Sequence, residues 1–265
     1  MYRRLKSVSD TYITNKIIRE ARRKNANVGL AGTLDLFKLY NLSQSGSANN
    51  VTELSRVLIK FDLSELQALT SSILDYSDSS FRCIMTMSDV YGGQTIPSNF
   101  TIEAFPLSRS FDEGIGSDVV YFNDIDTSNF VTSSFSGAPE LWSQEGAEKG
   151  GLLGSSNIDY ITSGNLGDGI VNISSKQTFS DGTEDLSLDV TTIVSATLAG
   201  QVPDHGFRLA FTSSQESDEY TYFVKRFASR HAHEDNLKPR LVVYYDDTIQ
   251  SNESDLFFDL SGSLF

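Results

Sequence analysis

Cysteine is almost missing from this chain, whose 265 residues include only Cys83. A lone thiol makes no internal disulfide and supplies no zinc cluster, so neither staple holds the fold. Long apolar runs are missing as well. No stretch approaches the ~18 residues a membrane-spanning helix needs, so a membrane is not among the expected partners. The opening MYRRLKSVSD has the basic charge of an export signal without its apolar stretch, and nothing there directs secretion. Basic charge is scarce: 21 Lys and Arg stand against 35 Asp and Glu, a net charge of −14. So acidic a chain is a poor general binder of nucleic acid.

What is present is β-forming sequence between polar connections. The chain holds 17 Phe and 11 Tyr beside 38 Ser, a composition of ordered strands and polar loops rather than disorder. Period-two alternation dominates. Val57, Ile59, Phe61 and Leu63 point one way, with Leu58, Lys60 and Asp62 opposite. Phe207, Leu209 and Phe211 alternate with Arg208, Ala210 and Thr212, and Leu241, Val243 and Tyr245 repeat the pattern. Phe81, Cys83, Met85 and Met87 form another buried face, which makes the thiol structural. Further strands are expected at 10–14, 33–39, 100–105, 119–122, 169–173, 185–190 and 220–225. Two short helices are expected, one at 63–69 capped by Ser64 and one at 191–200 ending on Gly200. The predicted fold class is all-β: a jelly-roll-like sandwich of two antiparallel sheets with one or two short helices.

That sandwich is expected to span residues 1–246, with a Gly- and Ser-rich loop excursion over 136–168 that carries Trp142. Residues 247–265 read as an acidic and apolar linker, or as the start of a following domain. Leu256, Phe257 and Phe258 there require a cover, supplied by that domain or by a partner chain. Charge is uneven: residues 1–24 hold eight basic and two acidic side chains, leaving the remainder at net −20. Arg19, Arg22, Arg23 and Lys24 crowd one connection. They read either as a solvated loop or as a contact to an acidic neighbour, another copy of the chain included.

Catalytic patterns are sparse. No G-x-S-x-G occurs, and the Gly-rich pieces do not join a strand to a helix as phosphate cradles do. His231-x-His233 has metal-ligand spacing, with Glu234 or Asp235 as an oxygen neighbour, but it lies in a polar loop with no third histidine nearby. Carboxylate pairs such as Asp112 with Glu113 arise by composition in a chain with 35 acids. A glycosidase needs such a pair ~5–9 Å apart across a cleft, which spacing in sequence does not supply. No enzyme activity, cofactor or metal is therefore expected.

Several collinear segments resemble the DNRLRE domain family, a jelly-roll β-sandwich group related to carbohydrate-binding modules. These are DTYITN (10–15), ANVG before TLDLF (26–37), SRVLIKFDLS (55–64), SFDEG (110–114), DLSLDVTTIV (185–194), GFRLAF (206–211) and the closing FASR…KPRLVVYY (227–245). Phe111 stands where the family usually carries tryptophan. The longer phrases ANVGLAGTLDLFKLYN, FPLSRSFDEGIGSDVVYF and FVKRFASRHAH look like the start of large virion structural proteins of tailed bacteriophages. The resemblance implies a non-enzymatic tail, neck or baseplate module. It would be assembled in the host cytoplasm into the virion, with other virion proteins and copies of itself as partners. The alternative it implies is a module that recognises a host surface polysaccharide, with Trp142, Tyr121, Tyr220 and Tyr222 as candidate sugar-stacking rings.

Overall fold

In the computed structural model, residues 1–40, 52–90, 99–167 and 169–247 are described. The chain begins with β1 (Tyr2–Thr14), the small hairpin β2 (Ile17–Ile18) and β3 (Ala21–Arg22), then β4 (Thr33–Tyr40) and β5 (Thr52–Phe61). Helix α1 (Ser64–Leu69) leads to β6 (Arg82–Met87) and β7 (Phe100–Pro106). Small strands follow: β8 (Thr132–Phe135), β9 (Pro139–Leu141), β10 (Gly150–Leu152), β11 (Tyr160–Asn165) and β12 (Ile170–Asn172). Next come β13 (Ser175–Phe179), β14 (Leu186–Asp189), α2 (Thr191–Leu198), β15 (Phe207–Phe211) and α3 (Ser213–Ser217). The last elements are β16 (Phe223–Ala228), a 3-10 turn (Asp235–Leu237) and β17 (Arg240–Tyr244).

Ten strands share one hydrogen-bonded network, ordered β13-β7-β15-β5-β1-β17-β6-β14, with β4 bridging β5 and β16. All its pairings are antiparallel. β1 turns this network into two layers. Its first half, Tyr2 to Lys6, pairs with β17, and beyond a bulge at Ser7–Ser9 its second half pairs with β5. Such a bulge bends a strand and lets it change sheet. A bridge between Asp89 and Phe227 then sets β16 beside the end of β6, so the strands run almost full circle. The outer edges meet through one side chain: Gln177 of β13 donates to the Asp185 carbonyl (2.9 Å) and accepts from the Ser187 N–H (2.6 Å). The architecture is an all-β, jelly-roll-like sandwich.

Between the layers lie the faces that alternation predicts: Val57, Ile59 and Phe61, then Phe81, Cys83, Met85 and Met87, and Leu241, Val243 and Tyr245 are all buried. Phe100 and Phe179 stack at 4.7 Å, with Phe211 and Phe223 packed edgewise or tilted around them. Burial pushes the Cys83 thiol up, which keeps it protonated and inert. α2 ends as expected, with Gly200 at φ +72°. Ser64 does not cap α1: Leu63 is the N-cap and has no side-chain cap bond, and Asp62 takes the Ser64 N–H at 2.9 Å in the turn before the helix.

Three expectations need correction. The 136–168 excursion is not a plain loop: it contains β9, β10 and β11, with β10 and β11 parallel and β11 and β12 antiparallel. It folds over the outer face of β1 and β5, where Ile13 and Leu58 form a second apolar cluster with Leu107, Phe111, Trp142 and Ala147. Strands β5 and β15 are therefore buried on both faces. Residues 119–122 form no strand, because Asp118 accepts the N–H groups of Val120 and Tyr121 and turns the chain. The strand expected at 220–225 begins only at Phe223, as β16, and Asp218 accepts the N–H of Tyr220 in a turn before it. Among the described residues no helix is long and apolar enough to cross a membrane. Leu256, Phe257 and Phe258 lie outside the described residues.

Candidate functional site

Two polar assemblies interrupt the apolar packing. The first gathers side chains from distant segments around the middle of β1, beside its bulge. Glu113 accepts from Nε (2.5 Å) and Nη2 of Arg230 and from the Asp10 backbone N–H (2.9 Å), and His231 Nε2 lies 3.3 Å from its Oε1. Asp10 is fully buried and accepts from the Arg230 backbone N–H (2.7 Å) and the Ser7 hydroxyl (3.4 Å), while its Oδ1 has no partner. Burial above all, helped by the Glu113 charge, pushes its carboxyl up to about 7. Beside it the Asn27 amide ties two loops together. It donates to the carbonyls of Glu113 (2.7 Å) and Ser128 (3.0 Å) and accepts from the N–H groups of Gly29 (3.1 Å) and Gly116 (2.8 Å).

The second assembly lies under the covering layer. Arg56 of β5 and Arg208 of β15 both project from the outer sheet face, and both are buried. Arg56 grips Glu216 with Nε (3.1 Å) and Nη2 (2.7 Å), donates Nη1 to the Gly146 carbonyl (2.7 Å) and lies 3.4 Å from Glu148. Arg208 is only 3% exposed, and its guanidinium stacks 4.3 Å from the Tyr160 ring centre. It makes no hydrogen bond among the described residues, and its Nε is buried without a partner. Burial first, and then the Arg56 charge, pull its pKa down to about 10, so it stays charged at neutral pH. Both arginines line a cavity of about 270 Å³ with Tyr160, Glu148, Glu216 and Ser213.

The other buried cations are fully partnered. Lys38 donates to the Gln215 (2.6 Å) and Asp218 (2.5 Å) carbonyls and to the Asp218 carboxylate (3.0 Å). Lys225 donates to Asp89 (2.6 Å) and to the carbonyls of Gly182 and Glu184, both at 2.8 Å. Arg208 is the exception.

The sequence-predicted residues are scattered. Arg19 sits exposed at the β2–β3 turn. Arg22 turns back to the Asn15 (3.1 Å) and Thr52 (3.2 Å) carbonyls, and Lys24 pairs with Glu145 at 2.5 Å. Arg23 is half-buried. The four therefore do not make one free basic patch. Trp142 is no sugar platform: it is 5% exposed, and its indole N–H donates to the Asn129 carbonyl at 2.9 Å. Tyr121 and Tyr220 are exposed on separate loops, while Tyr222 meets Tyr40 edge-on at 5.6 Å. His233 is exposed, and His231 faces Glu113 and not a second imidazole. Among the described residues no group of three or more His, Cys, Asp or Glu could hold a metal ion.

Sequence reasoning missed Arg56 and Arg208 as a pair, although each stood in an otherwise apolar strand, SRVLIKF and GFRLAF. An arginine flanked by strand hydrophobics marks a face that is covered yet polar. Fold and clusters together define an antiparallel β-sandwich with an appended covering layer and two ionic clusters. No protein-family model matches the chain, and no curated protein matches it.

Proposed function

We propose that this chain is a non-enzymatic structural subunit of a tailed-bacteriophage particle. In this reading a DNRLRE-like sandwich in the tail, neck or baseplate holds neighbouring virion proteins and copies of itself. One observation carries the reading. Asp10 of DTYITN, Asn27 of ANVG, Glu113 of SFDEG and Arg230 of FASR, all within the segments that bear the resemblance, meet in one buried hub. Collinear fragments that interlock this way behave as one structural unit. Support for a holding role comes from the loop region beside the hub, where Leu30, Ile115, Tyr121 and Ile125 expose apolar side chains.

Antibodies raised against the chain should label purified tailed particles at one discrete location. Labelling confined to the soluble fraction of infected cells, with clean particles, overturns the proposal. The second reading, recognition of a host polysaccharide, loses Trp142 and rests on the exposed Tyr40–Tyr222 pair. Retardation in an affinity gel cast with host polysaccharide, abolished by Tyr222→Ala, would favour it.

A further inference from the structure

We propose that the cavity under the covering layer is a subsite for a single carboxylate group, taken by Arg208. The argument starts from charge. Arg56 and Arg208 bring two positive charges to one buried wall, and Glu216 and Glu148 bring two negative ones. Hydrogen bonding is not shared evenly: Arg56 takes both oxygens of Glu216, reaches Glu148 and also holds the Gly146 carbonyl. Arg208 has the Tyr160 ring against one face, and its buried Nε has no acceptor among the described residues. A buried guanidinium without an acceptor is costly, and the remaining three buried cations of the described chain have theirs.

The space at Arg208 is suited to supplying what is missing. About 270 Å³ accommodates a small planar anion, and Ser213 on α3 adds a hydroxyl at the wall. A planar carboxylate matches the forked N–H edge of a guanidinium whose face is already covered. A dianion such as sulfate meets the charges of Glu148 and Glu216, which line the same cavity, and is repelled more than a monoanion. The carboxylate is carried either by a free small acid or by an acidic side chain of another copy of this strongly acidic chain.

The probe is ¹³C-formate, titrated into the whole chain at constant ionic strength against chloride and sulfate and followed by NMR line width. Saturable formate binding, with chloride and sulfate far weaker, is expected. Arg208→Met, which keeps most of the apolar stem, should weaken it about tenfold or more. Formate binding no stronger than chloride, or equal binding by Arg208→Met, overturns the proposal. Should that variant fail to fold, hydrogen exchange of the wild-type chain decides. Acetate should slow exchange in β15 and α3 relative to chloride, and unchanged exchange overturns the subsite. Sedimentation velocity separates the sources. Self-association dispersed by acetate assigns the carboxylate to another copy, and a monomer that binds formate assigns it to a free acid.

Discussion

Arg230 faces two carboxylates, buried Asp10 and half-buried Glu113, and grips the second. Its bidentate bond goes to Glu113, so Asp10 keeps only a backbone N–H and a distant hydroxyl. The Asp10 proton is therefore held by the native state up to about 7, whereas its ordinary value is 3.8. Between those values the folded chain binds more protons than the unfolded one, so stability falls as pH rises through the window. Asp10→Asn, which needs no ionisation, should flatten this slope. Denaturant midpoints of wild type and variant should draw apart in the variant's favour from pH 5 to pH 8, and parallel pH profiles would rule the Asp10 proton out. Arg56 makes the opposite case. Arg56→Met leaves Glu216, 11% exposed, without its counter-ion, and should cost about 3–5 kcal/mol in denaturant unfolding. Cys83 was legible as a core residue because its strand has one apolar face and one polar face. Arg208 was not, since alternation assumes that the second face meets water.

At the scale of elements, the long strands and α2 could be read from periodicity, and the covering layer could not. β9 and β10 are three residues each, too short for a period to show, and Gly-Gly-Leu gives β10 little β propensity, whereas β12 falls where a strand is expected, at 169–173. What fixes this layer is side-chain insertion, with Trp142 as its anchor. Trp142→Ala should cost about 3–5 kcal/mol and raise proteolysis between residues 136 and 165. A variant of full stability would return the ring to the surface. The loop that carries Asn27 docks just as closely. A Cβ on Gly29 would meet the Glu113 carbonyl oxygen at 2.0 Å, a backbone atom that cannot swing aside. Gly29→Ala is expected to lose about 1–3 kcal/mol. A matching loss of the hub should appear as a shift of the Arg230 side-chain resonance, while an unchanged spectrum would place the loop elsewhere.

The sandwich is closed where β1 pairs with β17. The Met1 amino group donates to the Tyr245 carbonyl at 2.6 Å, and Tyr2 to Lys6 pair along the full length of β17. Without them β17 would keep β6 on one side and show unpaired N–H and C=O groups on the other. An open edge flanked by the apolar Leu241 and Val243 invites strand pairing between molecules. A chain lacking residues 1–6 should therefore unfold at lower denaturant and associate as its concentration rises in sedimentation velocity. The cause is separable from simple loss of stability. Val242 points away from the main core and is partly exposed, so Val242→Lys in the shortened chain places a charge on the new edge without touching the buried face. That second change should restore the monomer while leaving the denaturant midpoint low. A shortened chain that stays monomeric at high concentration, or one that Val242→Lys does not disperse, would mean that the circle of strands is held shut by its core and not by the pairing of β1 with β17.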